Sequence, residues 1–230
     1  MSKPVDPDVT KRLSVHSPVS IDMYDTEGAH TGLVPNPDPN NDLPYLEEQI
    51  PNSRYYQFGE GKYVSVPSEG GPYNVLVQGT GFGLFTLESE EGIGGDYTGG
   101  PVFEDIPVSP ATIATLTIDD TPLKLALDID GDGTVDVTIE EGEKLSASSL
   151  LDILEYQVGN LDLKPKDVKK FDKKIIKVRK ALDKEKVKNA DKRLDAIVKL
   201  INKSVKKDKI TSEEVSQLMR LIIQIKSSLQ

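Results

Sequence analysis

Apolar and polar residues alternate with a period of two through much of the first 145 residues, and this pattern predicts β-strands. The clearest alternating segments are Val19–Met23, Tyr73–Val77, Ala114–Ile118, Leu123–Ile129 and Val135–Ile139, with shorter β-prone runs at Tyr63–Val66 and Leu84–Leu87. Gly, Pro and Asn separate these segments, and no pattern of helical length lies between them. We therefore predict an antiparallel β-sandwich or barrel and not a parallel α/β sheet.

Two stretches of this region are predicted to be loops. Residues 35–42 contain three prolines, which lack the N–H group that a strand ladder needs. Residues 91–101 are rich in glycine and are expected to form a flexible connection.

After Ser146 the apolar spacing changes to steps of three and four residues, which predicts amphipathic helices. The apolar seams run through Leu150–Val158, Val168–Leu182, Val187–Ile201 and Val215–Leu229. Polar breaks near 183–186 and 206–211 favour a small antiparallel bundle of three helices, with the 148–158 helix as a neck or a fourth member. One long coiled coil is the alternative, which the register jumps disfavour.

Several residues in this region match helix-end signals. Ser146 or Ser148 is expected to cap the first helix, and Gly159 to end it in the left-handed conformation. Pro165 is expected to open the second helix. Thr211 and Glu214 have the spacing of a capping box for the last helix.

Charge divides the chain in the same way. Residues 1–160 carry 7 Lys+Arg and 28 Asp+Glu, a net charge of −21, whereas residues 161–230 carry 21 and 10, a net charge of +11. We predict a linker or disordered segment at 1–10, an acidic β-sandwich domain at 11–145 and a basic helical bundle at 146–230. The mixed fold is thus segregated, β and then α.

Composition excludes several chemistries. The chain has no Cys and no Trp, so disulfide scaffolds, thiolate zinc sites and Cys nucleophiles are ruled out. No window approaches the roughly 20 apolar residues of a membrane span, and the first residues lack the apolar stretch of a signal peptide. The abrupt, Pro- and Asp-rich start is equally compatible with a fragment of a longer chain.

The strongest chemical signal is the run Asp128-Ile-Asp130-Gly-Asp132-Gly-Thr134-Val-Asp136. Carboxylates occupy positions 1, 3, 5 and 9 of a loop, and the glycine at position 6 permits a sharp turn. Oxygen ligands in this arrangement suit Ca²⁺, with the carbonyl of Thr134 as a further ligand. Four carboxylates this close repel one another without a cation. The alternative is an acidic turn that binds no specific ion.

The run departs from an EF-hand at position 12, where Ile139 replaces the bidentate Glu, and its flanks are predicted strands. It resembles the DxDxDG loops in β-hairpins of integrin-like and other extracellular proteins. That resemblance implies a structural site that holds a hairpin. With one weak position, we expect a dissociation constant of roughly 10⁻⁵ to 10⁻³ M.

The sequence contains none of four common enzyme motifs: the nucleophile elbow, the zinc-protease helix, the phosphate-binding loop and the dinucleotide-binding fingerprint. A carboxylate pair for glycoside hydrolysis is not excluded by so acidic a sequence.

His16 is expected to begin a strand and His30 to lie in a turn, and together they make a weak case for zinc. The aromatic residues Tyr45, Tyr55, Tyr56, Phe58 and Tyr63 are expected to fill the core, with a sugar-binding platform as the alternative. The lysine-rich helices are interpreted as a solvated surface, although they could attract an anionic partner.

Two resemblances follow from these residues. The runs His16–Gly32, Glu47–Pro51 and Gly71–Val75 resemble β-sandwich modules of secreted prokaryotic hydrolases and surface proteins. The segment from Leu150 to Leu229 is similar to the FIMAH helical module, through its Leu161–Pro165 entry, its heptad seams and Ile210–Glu214. Both resemblances imply an extracellular or cell-surface region of a secreted, bacterial protein without catalytic residues.

The sequence therefore predicts a non-catalytic, calcium-stabilised accessory module that acts as a spacer, anchor or adhesion element. A carbohydrate-binding module is one alternative, which exposed Tyr residues on one sheet face would support. A self-assembling surface-layer or filament subunit is another. A cell-surface or wall polymer or another protein is the expected class of partner, self-association is compatible with the sequence, and no nucleic acid is expected because stacking aromatics are nearly absent after residue 160.

Overall fold

The computed structural model describes residues 9–16, 18–94, 96–119, 122–207 and 209–230. The chain divides into two compact units, Met1–Lys144 and Leu145–Gln230. The first contains β-strands and the second contains α-helices, which confirms the predicted order of β and then α. Most of the linker expected at 1–10 lies outside the described residues, whereas Val9 and Thr10 belong to the first strand.

The strands of the first unit form two antiparallel sheets. Their bounds are β1 (Val9–His16), β2 (Val19–Tyr24), β3 (His30–Val34), β4 (Tyr45–Glu48), β5 (Arg54–Phe58), β6 (Gly61–Pro67), β7 (Tyr73–Gly79), β8 (Gly83–Ile93), β9 (Asp96–Val108), β10 (Ile113–Ile118), β11 (Lys124–Asp128) and β12 (Val137–Glu140). One sheet has the order β5-β6-β1-β8-β9, and the other has the order β12-β11-β10-β7-β2-β3-β4. This arrangement is the predicted β-sandwich.

The period-two pattern determines which side chains enter the core. In β2, Val19, Ile21 and Met23 are buried while the residues between them are partly exposed. In register with them, Val77 lies opposite Ile21 and Val75 opposite Met23. Because successive side chains of a strand point to opposite faces, one residue of slippage would expose this whole apolar set.

The glycine-rich stretch at 91–101 is not a flexible connection, and that expectation is wrong. Strands β8 and β9 pair there as a long hairpin, from Ile93 opposite Asp96 onward. The ladder needs only backbone groups, so small and acidic residues can join it. Gly99 has φ +146°, and a Cβ at this residue would lie 2.2 Å from the carbonyl oxygen of Ser89. The glycine is therefore what allows the two backbones to approach.

His16 ends β1 and does not begin a strand, which corrects a second expectation. Strand β1 lies between β6 and β8, with Leu13 opposite Val64 on one side and Ser89 on the other. The partners of β1 are therefore distant in sequence, and its short apolar pattern gave no strand prediction.

The second unit consists of four helices, α1 (Ala147–Gly159), α2 (Pro165–Leu182), α3 (Val187–Val205) and α4 (Ser212–Ser227). Helix α1 packs against α2 and α4, and α3 packs against α2 and α4, so α1 is a fourth member of the bundle and not a neck. The predicted seams are buried, including Phe171, Ile175, Leu194 and Ile225. A single long coiled coil is excluded.

Most helix-end predictions are confirmed. The Ser146 side chain accepts a hydrogen bond from the Ser149 backbone N–H, Pro165 opens α2, and Thr211 with Glu214 forms a capping box. The left-handed exit at Gly159 is wrong, because Gly159 is the last residue of α1 and Asn160 caps it in the right-handed conformation. The Asn160 side-chain amide donates to the carbonyl of Tyr156 and satisfies that helix end.

Candidate metal centre

The acidic loop, residues 128–136, connects β11 to β12 and is fixed at both ends. Leu127 lies opposite Val137 in the ladder, and the Asp136 backbone N–H donates to the carbonyl of Leu127 at 2.8 Å. The Thr112 hydroxyl, from the turn before β10, donates to the carbonyl of Ile129. The loop is therefore held by the hairpin below it and by a neighbouring turn. Its flanking strands confirm the predicted β-hairpin.

Asp128 is the buried centre of the loop, with an exposed fraction of 6%. Its Oδ1 accepts hydrogen bonds from the backbone N–H groups of Gly131 and Asp132, and its Oδ2 accepts one from Gly133 at 2.8 Å. Each carboxylate oxygen has two lone pairs, so Oδ2 keeps one acceptor position for a further partner. The loop thus wraps its backbone around one carboxylate.

Glycine is needed at two points of this wrap. Gly131 and Gly133 have φ values of +73° and +88°, a region that L-residues with a Cβ adopt at a cost. A Cβ at Gly131 would also lie 2.6 Å from the carbonyl oxygen of Ala111. The sequence Asp-Gly-Asp-Gly therefore encodes the turn as well as the charge.

The structure brings together three of the predicted ligands. Carboxylate oxygens of Asp128, Asp130 and Asp136 all lie within 4.8 Å of one another. Oδ1 of Asp132 instead accepts the backbone N–H of Thr134, and Asp136 Oδ2 accepts the N–H of Ile129. Asp130 and Asp136 are exposed, so the cluster faces solvent on one side.

The donor set suits a hard cation. Three carboxylates supply oxygen atoms and formal negative charge, whereas the surrounding N–H groups supply only partial positive charge. Neither Cys nor His belongs to the cluster, so softer or imidazole-preferring metals are less well matched. This chemistry fits the Ca²⁺ that the sequence predicts.

A second polar cluster in the same unit was not found from the sequence. His30 was expected to lie in a turn, but it is the first residue of β3 and is buried, so that expectation is wrong. Its Nδ1 lies 2.9 Å from Glu47 Oε2, and its Nε2 lies 3.0 Å from Asp22 Oδ1. A neutral imidazole has one N–H group and can donate to only one of the two carboxylates. Both contacts are hydrogen bonds only when a further proton is bound, either on the imidazole or on one of the two carboxyl groups.

The surroundings of His30 favour a structural role. Burial raises the pKa of Asp22 above its ordinary value, and the hydrogen bond with His30 acts in the opposite direction. Burial and the nearby Asp22 also raise the pKa of Tyr55 to about 12. The two carboxylates approach different ring nitrogens of His30 and come from β2 and β4, so the cluster ties three strands of one sheet together. Only the strand register, which the sequence did not reveal, brings them together.

The aromatic residues near Gly59 mostly stay outside the core, contrary to expectation. Tyr55 is buried, but Tyr45, Tyr56 and Phe58 are exposed, Phe58 by 84%. Tyr56 and Tyr63 are cross-strand partners whose rings stack with centroids 5.1 Å apart. Exposed Tyr56 is a feature that the carbohydrate-binding alternative requires, although its stacking with Tyr63 covers one face of each of these two rings.

Arg12 extends this surface across the five-stranded sheet. Its guanidinium lies 3.6 Å from the Tyr97 ring centroid and forms an ion pair with Glu90 at 2.7 Å. It also donates to the hydroxyl of Tyr56. The exposed face of this sheet is therefore a network of aromatic and charged groups that satisfy one another.

A buried carboxylate also holds the helical unit. Asp167, in the first turn of α2, forms ion pairs with Lys170 at 2.5 Å and with Lys209 in the connection before α4. These two lysines hold the pKa of Asp167 well below its ordinary range. In the last turn of α2, Arg179 pairs with Asp152 and Glu155 of α1.

Comparison with known families gives one match. Residues 147–226 match the model of the FIMAH domain, from the start of α1 almost to the end of α4. The resemblance predicted for the helical unit is therefore confirmed. No curated protein and no solved structure matches the chain.

Among the described residues, no helix is long and apolar enough to cross a membrane.

Proposed function

We propose that this chain is a non-catalytic accessory region of a secreted or cell-surface protein, and that it acts as a spacer, anchor or adhesion element. The observation that carries the proposal is the FIMAH match over 147–226, since this is an accessory type of domain. The β-sandwich before it supports the same role, because its polar clusters are engaged in holding strands and loops together. Its exposed face between Tyr56 and Tyr97 is likewise satisfied from within.

The second part of the proposal is that Ca²⁺ stabilises the β11–β12 hairpin. Asp128, Asp130 and Asp136 would hold the ion, and Asp132 and Thr134 remain the further ligands that the sequence suggests. The ion would supply the net positive charge that the backbone N–H groups around Asp128 do not supply. The expected role is structural, because the loop lies between two short strands and not between helices that could open.

Thermal unfolding with calcium and with a chelator tests this part. A ligand that binds only the folded state raises the unfolding midpoint, and at 100 times the dissociation constant it adds about 2.7 kcal/mol. Seven of the 8 Tyr residues lie before residue 145, so near-ultraviolet circular dichroism follows the β unit. Ellipticity at 222 nm follows the helices. We expect calcium to raise the Tyr-monitored midpoint and to leave the helical transition unchanged.

A pair of variants shows whether the acidic loop is responsible. Asp130→Ala removes an exposed cluster member with little structural role and should abolish the calcium shift. Asp162→Ala removes an exposed carboxylate between α1 and α2 and should retain the full shift. Equal shifts in the two variants would contradict the proposed site. No shift in the wild-type chain at millimolar calcium would contradict calcium stabilisation altogether.

A further inference from the structure

Helix α2 carries a row of exposed lysines opposite its buried seam. The row, hereafter the α2 lysine row, consists of Lys166, Lys169, Lys173, Lys177 and Lys180. Steps of three and four residues place all five on one face of the helix. At 1.5 Å per residue the row extends for about 21 Å, with a lysine about every 5 Å.

Three carboxylates that approach α2 pair with cations outside the row, and Asp172, on α2 itself, forms no ion pair within 4.0 Å in the part of the chain that the structure describes. Asp167 pairs with Lys170 and Lys209, and Asp152 and Glu155 pair with Arg179. Among the described residues, no member of the α2 lysine row forms an ion pair within 4.0 Å. Like charges at these spacings destabilise a helix, so an external anion bound along the row would relieve a repulsion that the fold leaves in place.

Helix α3 carries a second row of exposed lysines. Lys188, Lys192, Lys199 and Lys203 are exposed on the side of α3 opposite Leu194 and Ile197. The connection at 183–186 joins the two helices, which pack along each other. In contrast, α1 contains no Lys or Arg, and α4 contains only Arg220 and Lys226. The excess positive charge is therefore concentrated on the α2–α3 hairpin.

The chemistry of these rows indicates an extended partner that is recognised by its charge density. All nine residues are lysines, which act as point charges and do not impose the two-pronged geometry of arginine. Phe171 is the one aromatic residue of α2 and α3 and is buried, so neither helix exposes a ring on which a nucleic-acid base could stack. The apolar seam of α2 is buried in the bundle, and Ile176 is the one large apolar side chain of α2 that is exposed, so the helix offers little apolar surface for insertion into a lipid.

We propose that the α2 lysine row binds a linear anionic polysaccharide that carries a carboxylate on each sugar, with the α3 lysines adding to the positive charge of the same helical hairpin. Such a polymer presents negative charges in a single line at regular intervals, as the lysines present positive ones. The choice of a polysaccharide among polyanions rests on the proposed cell-surface function. The charge pattern itself does not depend on that function.

Binding of polygalacturonate to the full chain tests the inference. The assay contains a chelator, so that calcium cannot bridge the polymer to the acidic loop, and the dissociation constant is measured at about 50 and 200 mM NaCl. Three exposed charge contacts of ordinary strength correspond to about a tenfold change in affinity. We therefore expect Lys169→Gln, Lys173→Gln and Lys177→Gln combined to weaken binding about tenfold and to reduce its salt dependence.

The matched control changes the same number of charges in the other unit. Lys62→Gln, Lys124→Gln and Lys144→Gln combined should change the affinity by less than twofold. Gln is a good helix former, so the α2 variant should keep its 222 nm signal and its calcium shift. Equal weakening in the two triple variants would show that net charge, and not the row, governs binding, and would overturn the inference.

Further probes distinguish the kind of polymer. Dextran, a neutral polysaccharide, should not bind. Absence of polygalacturonate binding at low salt would overturn the inference. Tighter binding of single-stranded DNA or of anionic lipid vesicles than of polygalacturonate would also overturn it, and would assign the row to that partner. None of these outcomes affects the calcium test, so failure of the inference and failure of the proposed function are distinguishable.

Discussion

Asp128 and Asp167 are aspartates buried to a similar extent, 6% and 5% exposed, and each unit stabilises its own in a different way. In the β unit, Asp128 accepts hydrogen bonds from three backbone N–H groups of its own loop. In the helical unit, Asp167 is paired with the ammonium groups of Lys170 and Lys209.

The difference shows that the charge composition of each unit decides how its buried aspartate is stabilised. Residues 1–144 have 26 acidic and only 7 basic side chains, so few cations are available in the β unit, and Asp128 is held by backbone N–H groups instead. Backbone N–H groups carry no net charge, and the cluster of Asp128, Asp130 and Asp136 stays negative without an ion. Residues 145–230 have 21 basic and 12 acidic side chains, so Asp167 is paired with lysines of its own unit and lysines remain in excess. The first unit is therefore suited to an external cation and the second to an external anion.

The largest expected effect comes from a core substitution in the helical unit, which should leave the β unit unchanged. Phe171 is 1% exposed in the middle of α2, and Phe171→Ala should destabilise the helical unit by about 3–5 kcal/mol through lost burial and the cavity left behind. The measurement is urea unfolding at 222 nm. The calcium response of the Tyr signal should survive the substitution. Its loss would contradict the assignment of calcium to the β unit.

Asp128→Ala tests how the β unit stabilises its buried aspartate. The substitution leaves the N–H groups of residues 131–133 without this carboxylate and should cost about 1–3 kcal/mol in chelator. With calcium the difference from wild type should grow, because only the wild-type chain gains from the ion. Urea unfolding followed by near-ultraviolet circular dichroism measures both. A loss that is the same with and without calcium would contradict the metal centre.

Asp167→Asn tests, through its pH dependence, how the helical unit stabilises its buried aspartate. Lys170 and Lys209 hold the pKa of Asp167 below its ordinary value of 3.8 in the folded chain. Its contribution is therefore fully present above about pH 4 and is lost as the pH falls toward the folded-state pKa.

Urea midpoints at 222 nm from pH 7 to pH 2.5 measure this contribution. The gap between wild type and Asp167→Asn should be constant near neutral pH and should narrow below pH 4. Asp172→Asn, at a half-buried position on the same helix, is the matched control and should show a smaller gap. A gap for Asp167→Asn that stays constant to pH 2.5 would count against the ion pairs.

The smallest expected effect concerns the capping box at the start of α4. Thr211→Ala removes the hydroxyl that accepts the Glu214 backbone N–H and should destabilise the helical unit by about 1 kcal/mol. Ser216→Ala, inside α4, is the control and should be nearly neutral. Urea unfolding at 222 nm is again the measurement. Equal effects of the two substitutions would indicate that the capping box contributes nothing specific.

Most of the fold was predictable where the signal is local. The helical seams, the Thr211 capping box, the Pro165 start and strands such as β2 follow from spacing within a few residues. The tip of the β8–β9 hairpin was missed because its ladder there joins backbone groups of polar and glycine residues, which carry no apolar pattern, whereas Phe85 and Leu87 nearer its base do. The exposure of Tyr56 and Phe58 was missed because alternation does not state which face of an edge strand is buried.

The candidate site divides in the same way. Asp128, Asp130 and Asp136 could be named because a nine-residue loop with two glycines folds its carboxylates together wherever it occurs. His30, Asp22 and Glu47 could not be named, because they meet only through the pairing of β3 with β2 and β4. No spacing in the sequence indicates that meeting.

The sequence by itself determined the order of the two units, their opposite charges, the helix boundaries and the acidic loop, because each depends on neighbours within one turn or one hairpin. Tertiary structure decided the order of strands in the two sheets, the burial of His30 between two carboxylates and the pairing of Asp167 with Lys209. Those features depend on contacts between residues up to 84 positions apart, as in His30 with Glu47, Asp167 with Lys209 and Val9 with Ile93. Only the packing of whole elements sets such contacts, since the alternatives differ little in local energy.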